Sequence, residues 1–435
     1  MLSLLKSTRR AGVWFGVLLV LAGCLPAAPA GTGAAAATPP AVTRLTLWHA
    51  YGGALGETFT ALVDEFNQTH PGIQVEASYG GNLFTMREKL VAAIAGRVGP
   101  DISQIDQFWS SELADSGALL PIEDFLTNDQ EFARADIWDK AWQTATYRGT
   151  VWSMPFALSD IVLYYNRDLF AQAGLDPDRP PTNWDELRRA AQKLTIDANG
   201  DGTPEQWGVT FPLKANEGNV YYWLAFLWQN GGALFGEDGR TLQFNAPAGV
   251  EALQYWVDLA RTDRSLPLSP PDNGFESGQV AMTLVSSARL AALRKALGPA
   301  RLGVAPLPAQ EQAATGIGGA NLAILSDTQH PQAAWEFIRW MTSPAVNLRW
   351  SKATGYLPLR HSVIDSADYQ AYLAETPPAQ VILDQLAVAV VRPNVPAYTP
   401  LSREIGLAIE DALFKSVPAQ AALDAAAQRA AQTVK

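Results

Sequence analysis

The stretch RLTLWHAYGGALGETFTALVDEFNQTHPGIQVEASYGG, residues 44–81, decides the class of fold. Its apolar residues first alternate with polar ones at Leu45 and Leu47, as in a half-buried strand. They then recur at helical spacing over residues 59–66, until His-Pro-Gly at 70–72 stops the helix. Alternation returns from Ile73. The order strand, helix, strand predicts two neighbouring parallel strands.

The same pattern continues outward along the chain. Met86, Leu90 and Ala93 mark a second amphipathic helix, and residues 101–106 fit a third strand. Residues 108–116 then leave the carboxyl end of that strand. The sequence therefore predicts an α/β fold, in which ligands bind beyond the carboxyl ends of the strands.

A second lobe is expected because 435 residues exceed the roughly 250–300 residues that one hydrophobic core organises. The pattern restarts with a β-rich run at residues 161–165, and Asn183 is placed to cap a helix that begins at Trp184. Residues 303–308 fit a strand that leads back to the first lobe. We expect residues 44–157 plus 306–345 in lobe 1 and residues 158–305 plus 346–435 in lobe 2.

The first residues are typical of an export signal. Basic Lys6, Arg9 and Arg10 precede an apolar run over residues 11–22, which is too short to span a bilayer. The run ends in Leu-Ala-Gly-Cys, which resembles the lipobox of bacterial lipoproteins. We expect residues 1–23 to be a signal peptide, Cys24 to be lipidated, and residues 24–43, rich in Ala, Pro and Gly, to be a flexible tether.

Composition and motifs exclude several functions. The net charge of −11 argues against nucleic-acid binding. There is no P-loop, G-x-S-x-G or H-E-x-x-H motif, and the four histidines are scattered, so the sequence offers no enzyme site. A glycan-active enzyme stays open as an alternative. Such an enzyme needs two carboxylates that face each other across a sugar, and the chain has 43 acidic residues.

Several blocks carry a resemblance to a known family. They are Trp48-His49, FNQTHPG at 66–72, VLYYNRDL at 162–169, AGLDP at 173–177 and TGYLP at 354–358. With them, residues 44–435 resemble the extracellular solute-binding proteins (family 1) of ABC sugar importers. GQVAMTLVSSARL at 278–290 and Gly318-Gly319-Ala320 are most similar to the subgroup that binds sn-glycerol 3-phosphate and its diesters.

The resemblance implies a two-lobed periplasmic-binding-protein fold of type II, with a ligand cleft between lobes joined by crossing segments and a hinge near Ser159 and Pro306. It also implies an extracytoplasmic protein, in the periplasm or at the cell surface, that works as a monomer with the transmembrane subunits of an ABC permease and needs no cofactor. It carries over the following ligand-binding positions: Ser159, Ser286, Gly319, Tyr356 and Arg403, with Arg392 as a rival to Arg403.

Two departures bear on the ligand. Leu83 stands where the glycerol phosphate binders have a tyrosine, and Gln107 stands where they have a glutamate. We therefore expect a neutral mono- or oligosaccharide, with sn-glycerol 3-phosphate or a glycerophosphodiester as the alternative. One arginine in a cleft is able to hold a phosphate through two hydrogen bonds.

Sugar sites combine aromatic faces with hydrogen-bonding side chains, and candidates for both follow the predicted strands. Trp48 ends the first strand and Tyr51 follows it, Gln107 and Phe108 follow the third, and Trp223 lies in a predicted helix. Structural roles in the core or in a turn are the alternatives for each.

A possible calcium loop precedes Trp207. Asp197, Asn199, Asp201 and Glu205 match the first nine positions of a D-x-N-x-D-G calcium loop. Position twelve is Gly208 instead of a bidentate glutamate, so an ordinary polar turn is the alternative. Any ion here is expected to be structural.

Overall fold

The computed structural model describes residues 42–214 and 217–432. The predicted signal peptide and Cys24 lie outside these ranges, as does the tether up to residue 41. Within the described ranges, no helix is both long enough and apolar enough to cross a bilayer.

Strands occur throughout the described residues. In chain order they are β1 (Thr43–His49), β2 (Ile73–Tyr79), β3 (Ile102–Asp106), β4 (Thr146–Tyr147), β5 (Thr150–Val151), β6 (Met154–Ser159), β7 (Ile161–Asn166), β8 (Trp207–Thr210), β9 (Val280–Ser286), β10 (Leu302–Ala305), β11 (Thr315–Ile324) and β12 (Ala389–Val391). Thr43, expected in the tether, is thus the first residue of β1.

Helices separate most of the strands. They are α1 (Gly53–Thr69), α2 (Leu83–Ala95), α3 (Trp109–Asp115), α4 (Glu123–Asn128), α5 (Asp139–Ala145), α6 (Arg167–Gln172), α7 (Trp184–Leu194), α8 (Glu217–Gln229), α9 (Pro247–Val257), α10 (Leu290–Leu297), α11 (Pro331–Met341), α12 (Pro344–Thr354), α13 (His361–Ile364), α14 (Ala367–Glu375), α15 (Pro377–Gln385), α16 (Tyr398–Phe414) and α17 (Ala419–Ala430). Short 3₁₀ turns cover residues 134–136, 287–289 and 386–388, and residues 258–262 form a π turn.

The first sheet confirms the predicted strand–helix–strand start. Its order is β12-β11-β3-β1-β2, and β1 is parallel to both β2 and β3. β11 runs antiparallel to β3 on one side and to β6 on the other, and its first three residues pair in parallel with β12. The apolar residues of α1 are buried at Phe59, Leu62, Val63 and Phe66, because one stripe of this amphipathic helix faces the core.

The second sheet has the order β10-β7-β9-β8. β7 runs antiparallel to β9 and β10, while β8 is parallel to β9. The predicted cap of α7 is confirmed, since the side chain of Asn183 accepts a hydrogen bond of 2.9 Å from the backbone N–H of Glu186. The α/β fold with two sheets agrees with the predicted class.

The chain passes directly from one sheet to the other. β6 ends at Ser159 and β7 begins at Ile161, so Asp160 alone separates them. One strand differs from the expected division of the lobes: β12 lies in the range assigned to lobe 2, yet it pairs with β11 of the first sheet. After β12 the chain returns, and α16 and α17 pack on α8 and α9.

Candidate functional site

A cavity of about 310 Å³ lies where the two sheets meet. The ends of β1, β3, β6 and β9, the middle of β11, and the first turns of α2 and α8 surround it. Its lining residues are Ala50, Tyr51, Leu55, Leu83, Phe84, Gln104, Asp106, Ser159, Glu217, Gly218, Tyr221, Ser286, Gly318, Gly319, Ala320, Tyr356 and Arg392. The volume is at the lower end of the roughly 300–1,000 Å³ typical of small-molecule sites.

Arg392 is the only cation in the lining, and two carboxylates hold it. Its Nη2 donates to Oδ1 of Asp106 at 2.8 Å, and its Nη1 donates to Oε1 of Glu217 at 2.7 Å. The guanidinium also lies 4.7 Å from the ring centre of Phe108 and 4.9 Å from that of Tyr221. Charge-assisted hydrogen bonds and two aromatic faces thus immobilise the guanidinium.

The pKa values in this cluster follow from burial and from the neighbouring charges. Burial raises the pKa of Asp106 to about 6; Arg392 opposes this shift, and Glu217 adds to it. Burial alone would lower the pKa of Arg392, but the two carboxylates raise it, so the guanidinium stays charged. With both carboxylates ionised, the cluster has a net charge of −1.

Other parts of the chain fix Glu217 in place. The hydroxyl of Tyr398 donates to its Oε1 at 2.6 Å, and the hydroxyl of Ser402 donates to its Oε2. Both donors lie on α16, so this helix holds the carboxylate against Arg392. Glu217 therefore accepts hydrogen bonds at both oxygens, and its orientation does not depend on a ligand.

Two donors in the cavity wall have no partner among the residues that the structure describes. They are the buried hydroxyl of Tyr51 and the Nε of Arg392. A buried polar group without a partner costs roughly 1–3 kcal/mol, so a ligand that bonds these atoms gains the corresponding energy. The two donors suit a ligand that presents acceptor oxygens to this wall.

Gly319 brings the β11 backbone to the cavity wall. Its φ is +129°, and a Cβ at this position would lie 1.9 Å from the carbonyl oxygen of Ala157. Nε2 of Gln107 donates to the carbonyl of Gly318 at 3.2 Å. Gln107 thus supports the backbone behind the cavity instead of lining it.

The match to known proteins covers most of the chain. Residues 50–348 match the family described as bacterial extracellular solute-binding protein. The chain belongs to this family. A similar curated relative is the sn-glycerol-3-phosphate-binding periplasmic protein UgpB of Yersinia pestis, which is 27% identical over 365 residues, 80% of this chain and 81% of the relative.

Solved structures of solute-binding proteins share the fold. An ABC transporter solute-binding protein from Thermotoga lettingae, bound to α-D-tagatose, has a TM-score of 0.82 and 28% identity, covering 90% of this chain and 100% of that one. UgpB from Mycobacterium tuberculosis, in complex with glycerophosphocholine, has a TM-score of 0.80 and 26% identity, covering 90% and 98%. The two-lobed fold predicted from the resemblance is confirmed.

The structure of this solute-binding protein brings six of the eleven predicted ligand-binding residues to the cavity. They are Tyr51, Ser159, Ser286, Gly319, Tyr356 and Arg392. Gln107 and Phe108 lie directly behind the wall, where Gln107 holds Gly318 and Phe108 packs under Arg392.

Three predicted residues lie away from the cavity. Trp223 is wholly buried in α8, a helix whose residues from 219 to 229 are all buried, so its ring belongs to the core. Trp48 lies on β1 and packs partly buried against the core. Arg403 is exposed, because one helical step of about 100° separates it from the inward-facing Ser402. Of the two rival arginines, the structure places Arg392 at the cavity and Arg403 at the surface, so Arg392 replaces Arg403 as the candidate site residue.

The predicted calcium loop closes on itself. Both oxygens of Asp197 accept backbone N–H groups, from Gly200 at 2.8 Å and Gly202 at 2.9 Å. Asn199 and Asp201 accept N–H groups two residues on, and Glu205 accepts that of Ala198. Within residues 42–214 and 217–432 no group of three or more His, Cys, Asp or Glu is arranged to hold a metal. A calcium ion here stays a prediction.

Several lining residues were not predicted from the sequence, Glu217 and Tyr221 above all. Glu217 stands in the polar stretch KANEGN, and nothing local distinguishes it from a loop carboxylate. Tyr221 lies one position before Tyr222 in an almost wholly apolar helix. Only the packing of α8 against β11 and α16 brings these two residues to Arg392.

Proposed function

We propose that this solute-binding protein captures a neutral carbohydrate in the cavity around Arg392 and delivers it to the permease of an ABC importer. The observation that carries the proposal is the engagement of Arg392 by Asp106 and Glu217. A phosphate binds an arginine best through two parallel N–H donors. Here one N–H of each Nη already donates to a carboxylate, so a phosphate would meet the remaining N–H groups, Nε–H among them, beside two carboxylates.

Charge supports the same conclusion. The cluster of one guanidinium and two carboxylates repels a phosphate dianion but accepts hydrogen bonds from sugar hydroxyls. Among the residues that the structure describes, no other Lys or Arg lines the cavity. Desolvating a phosphate against a net negative cluster is costly, whereas a neutral polyol has no charge to desolvate.

The remaining lining has the composition that sugars require. Tyr51, Tyr221 and Tyr356 offer aromatic faces for the C–H side of a sugar ring, and Ser159 and Ser286 offer hydroxyls. These groups and the orphan hydroxyl of Tyr51 suit a ligand that has hydroxyls on every side.

Glycerol 3-phosphate or a glycerophosphodiester is the second candidate. It is favoured by the similarity to UgpB proteins and by the presence at the cavity of Ser159, Ser286, Gly319, Tyr356 and Arg392. For such a ligand, the phosphate would have to bind the N–H groups of Arg392 that Asp106 and Glu217 leave free, close to both carboxylates.

Titration calorimetry on residues 42–435 separates the two candidates. The ligands are neutral sugars, including D-tagatose and maltose, together with sn-glycerol 3-phosphate and glycerophosphocholine. Asp106→Asn removes one negative charge and one acceptor at nearly constant shape. We expect it to weaken binding of a neutral sugar at least tenfold; for a phosphate ligand, the same substitution would strengthen binding.

Asp327→Asn is the matched control, because Asp327 is exposed in the turn after β11 and carries the same change of charge. It should leave both affinities unchanged. Binding of phosphate ligands alone, tightened by Asp106→Asn, would replace the carbohydrate proposal with the second candidate.

We propose that the two lobes close on the ligand and that no covalent bond is made or broken. The ligand contacts both sheets and shifts the population toward a closed state, bending the chain near Ser159 and Pro306. The sugar leaves unchanged, so the protein has no turnover. Small-angle scattering should show a smaller radius of gyration at saturating sugar, and a constant radius would contradict closure.

The proposal includes export and a lipid anchor. A signal peptide over residues 1–23 and lipidation at Cys24 would place the binding domain outside the cytoplasmic membrane as a monomer on a short tether. The acidic charge of the chain and its family membership support binding to a small solute and a permease, not to nucleic acid.

A further inference from the structure

We propose that Lys140 and Asn394 are positioning residues, two anchors that hold the chain on either side of Arg392 and so keep its guanidinium at the cavity wall. Neither anchor lines the cavity itself. The inference rests on the proposed role of Arg392 in ligand binding. It goes beyond that role because it assigns the orientation of Arg392 to side chains outside the ligand contacts.

The strand before Arg392 is short. β12 has three residues and lies at the edge of the first sheet, where it pairs with residues 315–317 of β11. Arg392 is the first residue beyond this pairing, and Pro393 after it has no N–H to donate. The end of a short edge strand opens at little cost in free energy. A binding side chain has to stay within about 0.5 Å of its productive position, so other contacts must fix Arg392.

Lys140 holds the chain before β12. Its Nζ donates to the carbonyl oxygens of Leu386 at 2.9 Å, Ala387 at 3.1 Å and Ala389 at 2.8 Å. All three N–H groups of the ammonium are thereby used. Leu386 and Ala387 belong to the 3₁₀ turn that precedes β12, and Ala389 is the first residue of the strand. Lys140 thus fixes the place where β12 begins.

Asn394 holds the chain on the other side, two residues after Arg392. Its side-chain oxygen accepts from the backbone N–H of Ser111 at 3.0 Å, and its amide nitrogen donates to the carbonyls of Thr144 at 3.2 Å and Thr146 at 3.1 Å. Ser111 lies in the first turn of α3, and the N-cap residue of this helix makes no side-chain capping bond. Asn394 therefore pairs an N–H that the helix leaves open.

Both anchors lead to α5. Lys140 is the second residue of this helix, Thr144 lies in its last turn, and Thr146 begins β4 directly after it. The carbonyl of Thr144 also accepts from Nδ2 of Asn321 on β11 at 3.2 Å. α5 therefore holds residues 386–394 at both ends, and the helix is itself bonded to the strand with which β12 pairs.

The same contacts set the position of Arg392 relative to Asp106. Asp106 is the last residue of β3, and Ser111 follows five residues later in α3. Arg392 bonds Asp106 at 2.8 Å while Asn394 bonds Ser111, so two stretches of chain are joined at two points. Without the second point, the segment is able to turn about the first, and the guanidinium is able to leave the cavity wall.

The test compares substitutions at the anchors with matched controls. Asn394→Ala removes three hydrogen bonds, and Lys140→Met removes the ammonium but keeps an unbranched stem. Asn67→Ala is the control for Asn394, because the amide of Asn67 also bonds the backbone of a strand, at the N–H and carbonyl of Val75 in β2. Lys193→Met is the control for Lys140, because the Nζ of Lys193 donates to a backbone carbonyl away from the cavity.

The first readout needs no ligand. It is the Nε–H signal of Arg392 in an arginine-selective ¹⁵N–¹H NMR spectrum of residues 24–435, the chain without the predicted signal peptide. Arg392→Lys assigns the signal, because the spectrum then lacks it. We expect a sharp signal, displaced from that of exposed arginines, in the wild type and in both controls. Asn394→Ala and Lys140→Met should move it to the position of exposed arginines or broaden it beyond detection.

The second readout is affinity, measured by calorimetry with D-tagatose, maltose and sn-glycerol 3-phosphate. For the ligand that the wild type binds, each anchor substitution should weaken binding by about tenfold, the equivalent of about one lost hydrogen bond. The two controls should leave the affinity unchanged. Thermal unfolding checks that each variant is folded, and Lys140→Met decides the question if Asn394→Ala does not fold.

The outcomes separate this inference from the function on which it rests. An Arg392 signal that stays unchanged in the folded anchor variants would overturn the inference, and so would an unchanged affinity. Equal effects in the controls would overturn it too, because they would reflect a general loss of stability. If none of the three ligands binds the wild type, the proposed function fails, and the Arg392 signal still decides whether the anchors position this residue.

Discussion

Arg392 and Asp106 are 286 positions apart in the chain and are joined by a hydrogen bond of 2.8 Å. Asp106 is the last residue of β3, and Arg392 directly follows β12; both strands pair with β11. β12 pairs with residues 315–317 of β11 and β3 with residues 320–324, so the ion pair joins the carboxyl ends of two strands that pair with successive parts of a third. The contribution of this ion pair to the free energy of unfolding can be measured in the absence of any ligand.

Replacing Arg392 should destabilise the protein strongly. Arg392→Met leaves Asp106 and Glu217 buried without their cation, and breaking a buried ion pair in this way costs roughly 3–5 kcal/mol. Urea unfolding at pH 7 measures the loss. Arg403→Met, on the exposed face of α16, should change the free energy of unfolding by less than about 0.5 kcal/mol. Equal effects of the two substitutions would contradict the assignment of Arg392 to the cluster.

Asp160 should make stability depend on pH. Burial raises its pKa to about 6, with bonds from Gln385 and Ser287 opposing the shift, and its Oδ1 has no partner among the described residues. A carboxyl whose pKa is raised on folding stabilises below its unfolded pKa near 3.8. That contribution is lost as the pH rises through about 6.

The measurement compares Asp160→Asn with the wild type at pH 5 and pH 8. We expect the substitution to raise the free energy of unfolding by about 1–2 kcal/mol at pH 8, because a buried charge is removed, and to have less effect at pH 5. Asp327→Asn should show no such difference. A larger gain at pH 5 than at pH 8 would mean that Asp160 titrates with the opposite sign.

Gly319 should not tolerate a side chain. The Cβ of Gly319→Ala would meet the carbonyl of Ala157, so β11 and β6 would have to separate, at a cost of more than about 3 kcal/mol. Gly278 also has a positive φ, but nothing lies within 4 Å of a Cβ there. Gly278→Ala should therefore cost only about 1–2 kcal/mol. Urea unfolding of both variants tests the difference.

The hydroxyl of Tyr51 should contribute to ligand binding and not to the stability of the fold. Tyr51→Phe removes a buried group that lacks a partner, so stability without ligand should stay within about 1 kcal/mol or rise. Sugar affinity should fall about tenfold, or 1.4 kcal/mol. Tyr398→Phe is the contrast: it removes a donor to Glu217 and should lower stability by about 1–3 kcal/mol. Unchanged affinity in Tyr51→Phe would remove Tyr51 from the ligand contacts.

Cys24 should carry the lipid. It is the only cysteine, so incorporation of labelled palmitate into the full chain reports on this position alone. We expect the label in the wild type and none in Cys24→Ala, which should also appear in the soluble fraction of cells. Label that persists in Cys24→Ala would contradict the lipid anchor.

The first half of the first sheet was predictable because its signals are local. The alternation at Leu45 and Leu47 and the helical spacing from Phe59 to Phe66 each identify an element on their own. The cap at Asn183 is equally local, since the side chain bonds an N–H three residues on.

The cluster at Arg392 was only partly predictable because its partners are remote. The resemblance favoured Arg403 over its rival Arg392, and only the packing of α16 turned Arg403 to solvent. Strand β12 has three residues, too few for any periodicity to place it beside β11. The largely apolar α8 offered no pattern that distinguishes the buried Trp223 from the cavity residue Tyr221.

The late position of β11 in the chain bears on how the protein is made. The first sheet lacks this strand until residue 324 has been synthesised, although β1, β2 and β3 are complete by residue 106. Until then, β3 has an unpaired edge and β6 has no neighbour in that sheet. The first sheet thus stays incomplete through three-quarters of translation, a delay that would suit the export proposed for this protein, since an incompletely folded polypeptide is able to thread through a narrow channel.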